Sequence, residues 1–311
     1  MQEQSVIEIL MATYNGAAFL GEQVDSILAQ TDGGWHLTIS DDGSDDNTAD
    51  LIDAYVKKYP QKIARYCSGK RFGNAKDHFL HLMKEASGAQ WMLLCDQDDV
   101  WLPNKTEQFR KAIRKAEAQY GADRPLLIFC DQIPADEKLR PLDDSLAHYQ
   151  KQYTKSFDFR SILMQNVVTG GAMAVNRPLV KMACAYEKNT RMLMHDWWMA
   201  AVAARFGTIV YIDEPLGYYR QHENNAVGAK HVGSTSYFRS KLASLKEVRA
   251  TITRKKSQAE LFRRTYKDRL NAGDRAFLQG FTKSRSGLFF YLKYGKLIHG
   301  LERKLGMMLL G

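Results

Sequence analysis

Leu93-Leu94-Cys95-Asp96-Gln97-Asp98-Asp99-Val100-Trp101 joins an apolar run to three carboxylates within four residues. Residues 91–95 have the length and polar flanks of a strand buried on both faces in an α/β sheet. Asp96 and Asp98 then fall at its carboxyl end, the edge where open α/β sheets bind ligands. Carboxylates crowded there repel one another unless a cation sits among them. The stretch reads as a divalent-metal site holding a phosphate-bearing substrate. It also suits an acidic loop ahead of a helix beginning at Pro103, with Asp99 as a helix-start residue, and the rest of the chain has to separate the two.

The 311 residues are 45% hydrophobic and 25% charged, with 7 prolines, a globular composition long enough for one large or two modest domains. No apolar run approaches the roughly 18–20 residues that cross a bilayer. The first residues include Glu3 and lack a secretion-signal pattern. Cys67, Cys95, Cys130 and Cys184 are scattered, without metal-ligand or redox spacing, and read as small buried residues in a reducing cytoplasm. The net charge of +9 is concentrated from Lys230 onward, where Lys and Arg interleave with Phe, Leu and Tyr. Such a basic amphipathic tail suits an anionic membrane face at least as well as a polynucleotide. The expectation is a cytoplasmic protein in peripheral contact with the inner face of the plasma membrane, and no nucleic-acid partner.

Outward from the acidic centre, residues 6–11, 35–40 and 63–67 read as strands separated by helical spacings, including Phe19, Leu20, Val24, Ile27 and Leu28. This alternation predicts a mostly parallel sheet flanked by helices. The first strand runs into Thr13-Tyr14-Asn15-Gly16, a turn able to hold a nucleotide. The second ends in Asp41-Asp42-Gly43-Ser44, where a carboxylate can accept the imide N–H of a uracil or thymine ring, and Asp45, Asp46 or Asn47 can cap the next helix. Lys70, Arg71 and Lys76 are candidate phosphate or base contacts. A long helix from Pro103 to about Tyr120 has a Lys and Arg density that marks an exposed face. Residues 126–130 give another strand and 131–160 a polar, irregular stretch, expected to be mobile without ligand.

Gly170 and Gly171 allow close approach of backbone to a ligand, and residues 172–175 are strand-like. His195-Asp196-Trp197-Trp198 opens a helix. Asp196 can be an N-cap, a general base for a hydroxyl, or both, and Trp197 or Trp198 can offer a flat platform to a sugar ring or belong to the core. Strands follow at 208–212 and 216–219, then His222, a candidate third metal ligand. Residues 234–311 are helical in pattern, with Phe238, Leu242, Leu245 and Val248 on one face and a denser group from Leu288 to Leu301. Those faces meet either the sheet or lipid.

Taken in order, Thr13-Tyr14-Asn15-Gly16, Asp41-Asp42-Gly43-Ser44, Cys95-Asp96-Gln97-Asp98-Asp99-Val100-Trp101, Thr169-Gly170-Gly171 and His195-Asp196-Trp197-Trp198 resemble the family 2 glycosyltransferases of GT-A fold. The likeness is strongest to the bacterial branch that elongates surface polysaccharides, including rhamnosyltransferases, and covers about residues 5–226. It implies a Rossmann-like GT-A domain over residues 1–230, with a donor half to about 130 and an acceptor half from 131, ahead of the basic amphipathic helical region that the residue pattern gives over 231–311. It implies that Tyr14 and Asp42 contact the donor's pyrimidine, with Thr13, Asn15 and Lys76 around the nucleotide. Asp96 and Asp98 form the Asp-X-Asp element, with Asp98 and His222 toward Mn²⁺ or Mg²⁺. Asp196 is the catalytic base, and Gly170, Gly171, His195, Trp197 and Trp198 surround the acceptor. Asp77 stands where many relatives carry Asn. The Gln-X-X-Arg-Trp element of processive synthases is absent, so one sugar per encounter is expected.

The implied function is an inverting, metal-dependent transfer of one sugar from a nucleoside-diphosphate donor, dTDP-L-rhamnose first and UDP-hexoses next, to a lipid-linked or polysaccharide hydroxyl. Two other classes stay open on the sequence: a sugar-1-phosphate nucleotidyltransferase, although Thr13 to Gly16 supplies no phosphate-binding cation, and a non-catalytic membrane or nucleic-acid binder.

Overall fold

The computed structural model describes residues 6–86, 88–152, 157–186, 190–223, 245–283, 292 and 295–297. Its first half alternates as the sequence predicts: β1 (Ile7–Thr13), α1 (Leu20–Leu28), β2 (Trp35–Asp41), α2 (Thr48–Lys58), β3 (Ile63–Tyr66), α3 (Ala75–Glu85) and β4 (Trp91–Asp96). After it come β5 (Val100–Trp101), α4 (Lys105–Tyr120), β6 (Leu126–Ala135), α5 (Leu146–Tyr149) and α6 (Phe159–Met164). The chain continues through β7 (Met173–Asn176), α7 (Arg177–Ala183), α8 (His195–Phe206), β8 (Thr208–Arg220), α9 (Leu245–Thr265) and α10 (Ala272–Lys283).

The strands form one sheet in the order β3-β2-β1-β4-β7-β6-β8-β5. β3, β2, β1 and β4 are parallel neighbours, because each connection between them carries a helix. β7 is antiparallel to both β4 and β6 and joins the two halves. The fully apolar β4 is explained by burial on both faces. Its pleat sends Met92 and Leu94 into the core shared with α3, α6, α7 and α8, and Trp91, Leu93 and Cys95 into the core shared with α1, α2 and α4. That alternation continues to Asp96, which falls on the α8 side.

Several expectations need correction. Residues 208–212 and 216–219 belong to one strand, β8, which pairs parallel with β6 and absorbs Asp213-Glu214-Pro215 through register shifts opposite Asp131. β6 runs on to Ala135, and α5 and α6 give order to a stretch read as irregular. α4 is not uniformly solvated on its basic face, since Lys105 is completely buried and Arg110 is buried against Asp32 at 2.5 Å. Cys95 and Cys130 are buried as expected, but Cys67 is exposed.

The C-terminal helices pack on protein where they are described. Ile252, Ala259, Phe262 and Tyr266 of α9, with Phe277, Leu278 and Phe281 of α10, enter the core that holds Trp198. Asp274, buried on α10, ties them to α8 by an ion pair with Arg205 at 2.6 Å. Phe238, Leu242, most of the apolar group from Leu288 onward, and the side chains of Leu245 and Val248 lie outside the described residues. Among the described residues, no helix is long and apolar enough to cross a membrane.

Candidate active site

The ends of β1 and β2 are locked together before any ligand is considered. Thr13 donates its hydroxyl to the Ser40 carbonyl at 3.3 Å and to Asp41 at 3.1 Å, and is buried. Its side chain therefore shapes the turn, with the hydroxyl bonded to β2 and turned away from solvent. Asn15, at φ 48, accepts the Asp45 N–H through its side chain and gives its own N–H to Ser44, so it braces one turn against the other. Asn47 is the N-cap residue of α2, and Asp46 just before it receives the Thr48 N–H and hydroxyl.

Tyr14 is 41% exposed, and the Arg71 guanidinium lies 4.8 Å from its ring centroid. The Tyr14 backbone is held from below by Gln97, whose side chain accepts its N–H at 2.9 Å and donates to its carbonyl at 3.0 Å. This links β1 to the acidic centre. Asp42 is buried and accepts the N–H groups of Phe72 at 2.5 Å and Gly73 at 2.7 Å, drawing the basic loop over the strand ends. Lys76 stands on the first turn of α3, 3.6 Å from Asp77, whose carboxylate also receives the Asn74 amide.

At the end of β4 the carboxylates divide by environment. Asp99 is 1% exposed, accepts the Gln132 amide at 3.0 Å and the Arg220 N–H at 3.3 Å, and does not cap α4. Burial, then the charges of Asp98 and Asp96, hold its carboxyl well above the usual range. Burial, then Asp98 and Asp196, push Asp96 up to about 7, opposed by Lys105 and the Gly171 N–H. The Lys105 ammonium, donating to the Gly171 carbonyl at 3.1 Å, is the buried countercharge beneath the group.

Asp98 turns the other way and meets His222, with Nε2 2.7 Å from Oδ2. One hard oxygen donor beside an imidazole suits Mn²⁺ or Mg²⁺, and the mutual repulsion of Asp96, Asp98 and Asp99 is what a divalent ion offsets. Among the described residues no three His, Cys, Asp or Glu side chains form a metal-ligand group. An ion on Asp98 and His222 would complete its shell from water and diphosphate oxygens, a common arrangement for Mg²⁺.

Gly170 and Gly171 connect this centre to α8. They form a buried 3₁₀ turn with Ala172. A Cβ on Gly171 would lie 2.6 Å from Asp96 Oδ2 and 3.1 Å from Asp99 Oδ2, and one on Gly170 would lie 3.0 Å from His195 Nε2. The close approach that these glycines permit is thus to the protein's own side chains, not directly to a ligand. Gly171→Ala is expected to lower stability by about 1–3 kcal/mol, because Asp99 is fixed by Gln132 and the Arg220 N–H and Asp96 is bonded to the Gly171 N–H itself. Urea denaturation measures this.

Asp196 sits on the first turn of α8, across Gly170–Gly171 from Asp96. It receives the N–H of Trp197 at 2.5 Å. Burial nevertheless pushes its carboxyl up to about 7, against the N–H groups of Trp197 and Gly170 and the Asn166 side chain. A carboxylate at a helix start with a pKa near neutrality is suited to accept a proton.

Its neighbours depart from the acceptor roles expected of them. Trp198 is wholly buried, gives its indole N–H to the Ala183 carbonyl at 2.8 Å, and packs on Phe262 and Tyr266. His195 is 2% exposed and stacks on Phe79 with ring centroids 4.6 Å apart, and burial lowers its pKa to about 3, so it stays neutral. Both lie in the core, because positions 195 and 198 turn inward while 196 and 197 lie at the helix edge. Trp197 is half-buried, anchored through Nε1 to the Ile162 carbonyl at 2.6 Å, with Lys255 5.3 Å from its ring.

A parallel half with acidic strand ends, and a half-buried carboxylate facing them across one turn, have the layout of a glycosyltransferase of GT-A architecture. The chain belongs to glycosyl transferase family 2, whose model matches residues 8–178. It is 29% identical over 249 residues to the dTDP-rhamnosyl transferase RfbG of Shigella flexneri, covering 78% of this chain and 82% of that protein. Its fold is similar to S. aureus TarS 1–349 in complex with UDP-GlcNAc, with a TM-score of 0.59 and 14% identity over 97% of this chain and 78% of that one. It is also similar to the mannosyltransferase PcManGT of Pyrobaculum calidifontis in complex with GDP-Man and Mn²⁺, with a TM-score of 0.55 and 14% identity over 98% of this chain and 74% of that one. Family membership sets aside the nucleotidyltransferase and the non-catalytic binder.

Proposed function

We propose that this enzyme transfers a single sugar, with inversion, from dTDP-L-rhamnose to a hydroxyl of a lipid-linked or polysaccharide acceptor, with Mn²⁺ or Mg²⁺ at Asp98 and His222. The observation that carries this reading is the placement of Asp96 and Asp196 on either side of Gly170–Gly171, near enough for Asp196 to raise the pKa of Asp96. The relative RfbG, a dTDP-rhamnosyl transferase by name, supports the choice of donor.

Tyr14 and Asp42 take the pyrimidine side of the donor, with Thr13 and Asn15 holding the turn beneath and Lys76 toward the phosphates. When bound, the divalent ion supplies Lewis-acid stabilisation of the charge that develops on the leaving diphosphate. Asp196 accepts the proton of the acceptor hydroxyl as its oxygen attacks the anomeric carbon. The Trp197 edge and the Gly170 turn bound the acceptor's approach. One displacement, with one base and no covalent intermediate, inverts the carbon.

Arg249, Arg254, Arg264, Lys267, Arg269 and Arg275 are exposed on and between α9 and α10, and we assign them to the anionic cytoplasmic face of the membrane. Incubation with dTDP-L-rhamnose, UDP-glucose or GDP-mannose, with and without Mn²⁺, tests the donor. Only the first is expected to raise the melting temperature strongly and only in the presence of the ion. A response to GDP-mannose alone would overturn the donor assignment, and failure to co-float with anionic vesicles would overturn the membrane assignment.

A further inference from the structure

The Asp98–His222 pair does not hold itself together. Asp98 stands in the turn between β4 and β5, and His222 lies two residues beyond β8, so their 2.7 Å meeting depends on how the end of β8 is moored to the acidic turn. That mooring is Arg220. Its side chain is 3% exposed, and its fork reaches three separate elements. Nε–H donates to the Asp98 carbonyl at 2.8 Å, Nη1 donates to the Glu137 carbonyl at 2.7 Å beyond β6, and Nη2 pairs with Glu22 on α1. The backbone N–H of Arg220 goes to Asp99 at 3.3 Å, and the next residue, Gln221, donates its N–H to the Ala135 carbonyl at 2.9 Å.

Phe19 completes the arrangement. The Arg220 guanidinium lies 4.7 Å from its ring centroid, and the His222 ring lies 4.7 Å from the same centroid. Residues two apart along an extended chain point to the same side, so one aromatic ring seats both. We infer that Arg220 is a positioning residue for the metal pair. It fixes the Asp98 backbone and the His222 ring in one frame, and so sets the geometry in which the two side chains meet an ion. A planar guanidinium can satisfy three acceptors in different directions while stacking on a ring, and an ammonium cannot. The inference rests on the metal reading proposed above.

The test is Arg220→Lys in the full chain, which keeps the charge and removes the fork. Mn²⁺ binding is read directly by the loss of the free-ion electron paramagnetic resonance signal in the presence of dTDP. The expected result is Mn²⁺ affinity weaker by about 10–100-fold, the range for loss of a group that orients metal ligands, in a protein that still folds cooperatively without metal but melts lower because the fork's buried acceptors lose a donor. In turnover the loss should sit in the KM for Mn²⁺ and kcat should recover at high Mn²⁺. Wild-type Mn²⁺ affinity in the variant, or a kcat deficit that no Mn²⁺ concentration restores, would overturn the inference. If Arg220→Lys does not fold, Glu22→Gln alters only the exposed partner of the fork: weaker Mn²⁺ binding supports the role and unchanged binding overturns it. A wild-type protein that binds no Mn²⁺ would instead sink the metal reading itself, so the two failures are told apart.

Discussion

Asp196→Asn is expected to lower kcat by about 10²–10⁴-fold, the usual worth of a positioned general base, while donor binding stays near wild type. The amide keeps the size and the N–H contacts of the helix start but accepts no proton. The pH dependence gives a second readout. With its pKa near 7, Asp196 is protonated below neutrality and ionised above it, so wild-type kcat should rise with pH through about 7 and level off. The variant should lose that rise. Stability runs the other way. A carboxyl whose pKa is raised on folding binds a proton more tightly in the native state than in the unfolded chain, so its contribution favours the native state at low pH and is lost as pH climbs through about 7. Asp196→Asn should therefore melt no lower than wild type at pH 8, which separates loss of chemistry from loss of fold. Equal rates in the two proteins would dismiss Asp196 as the base.

Asp98→Ala should have the next largest effect, a fall in kcat of about 10²–10³-fold, comparable with removing one electrostatic stabiliser of a developing oxyanion. His222 would remain, but a single imidazole is a poor site for hard cations. Addition of EDTA should bring the wild type down to the level of the variant and leave the variant unchanged. The melting-temperature gain from Mn²⁺ plus dTDP should disappear in the variant. Transfer by wild type at full rate in EDTA would contradict the role given to Asp98.

Much of the donor half could be read locally. The strand ending at Asp96 is announced by an apolar run that stops at an acid, and its burial on both sheet faces follows from composition and length, whereas the strand ending at Asp41 alternates apolar and polar residues before its acids. Turn chemistry marks Thr13 to Gly16 and Asp41 to Ser44 as turns at the strand ends, but not that Thr13 and Asn15 brace one turn on the other, which only the structure shows. Less was legible where a polar residue is buried by distant partners. Lys105 looks like any lysine of a basic helix, and only the carboxylates and the Gly171 carbonyl above it give it a reason to be dry. Arg220 gives no local sign that its fork will span α1, the acidic turn and the segment beyond β6. Adjacency in sequence groups His195, Trp197 and Trp198 with Asp196, and the rotation of α8 divides the four, His195 and Trp198 to the core and Asp196 and Trp197 to the edge.

The chain order alone therefore determined the α/β class, the parallel half and the acidic strand ends that carry the resemblance to the family. These depend on side-chain periods of two and about 3.6 residues and on residue types at strand ends, all written within short windows. Which face Asp96 turns to, which of two adjacent tryptophans reaches the surface, and what holds Asp98 against His222 were settled only by tertiary structure. Periodicity records that a side chain is buried but not by what, and a buried charge is placed by partners that lie up to about two hundred positions away, as Glu22 lies from Arg220.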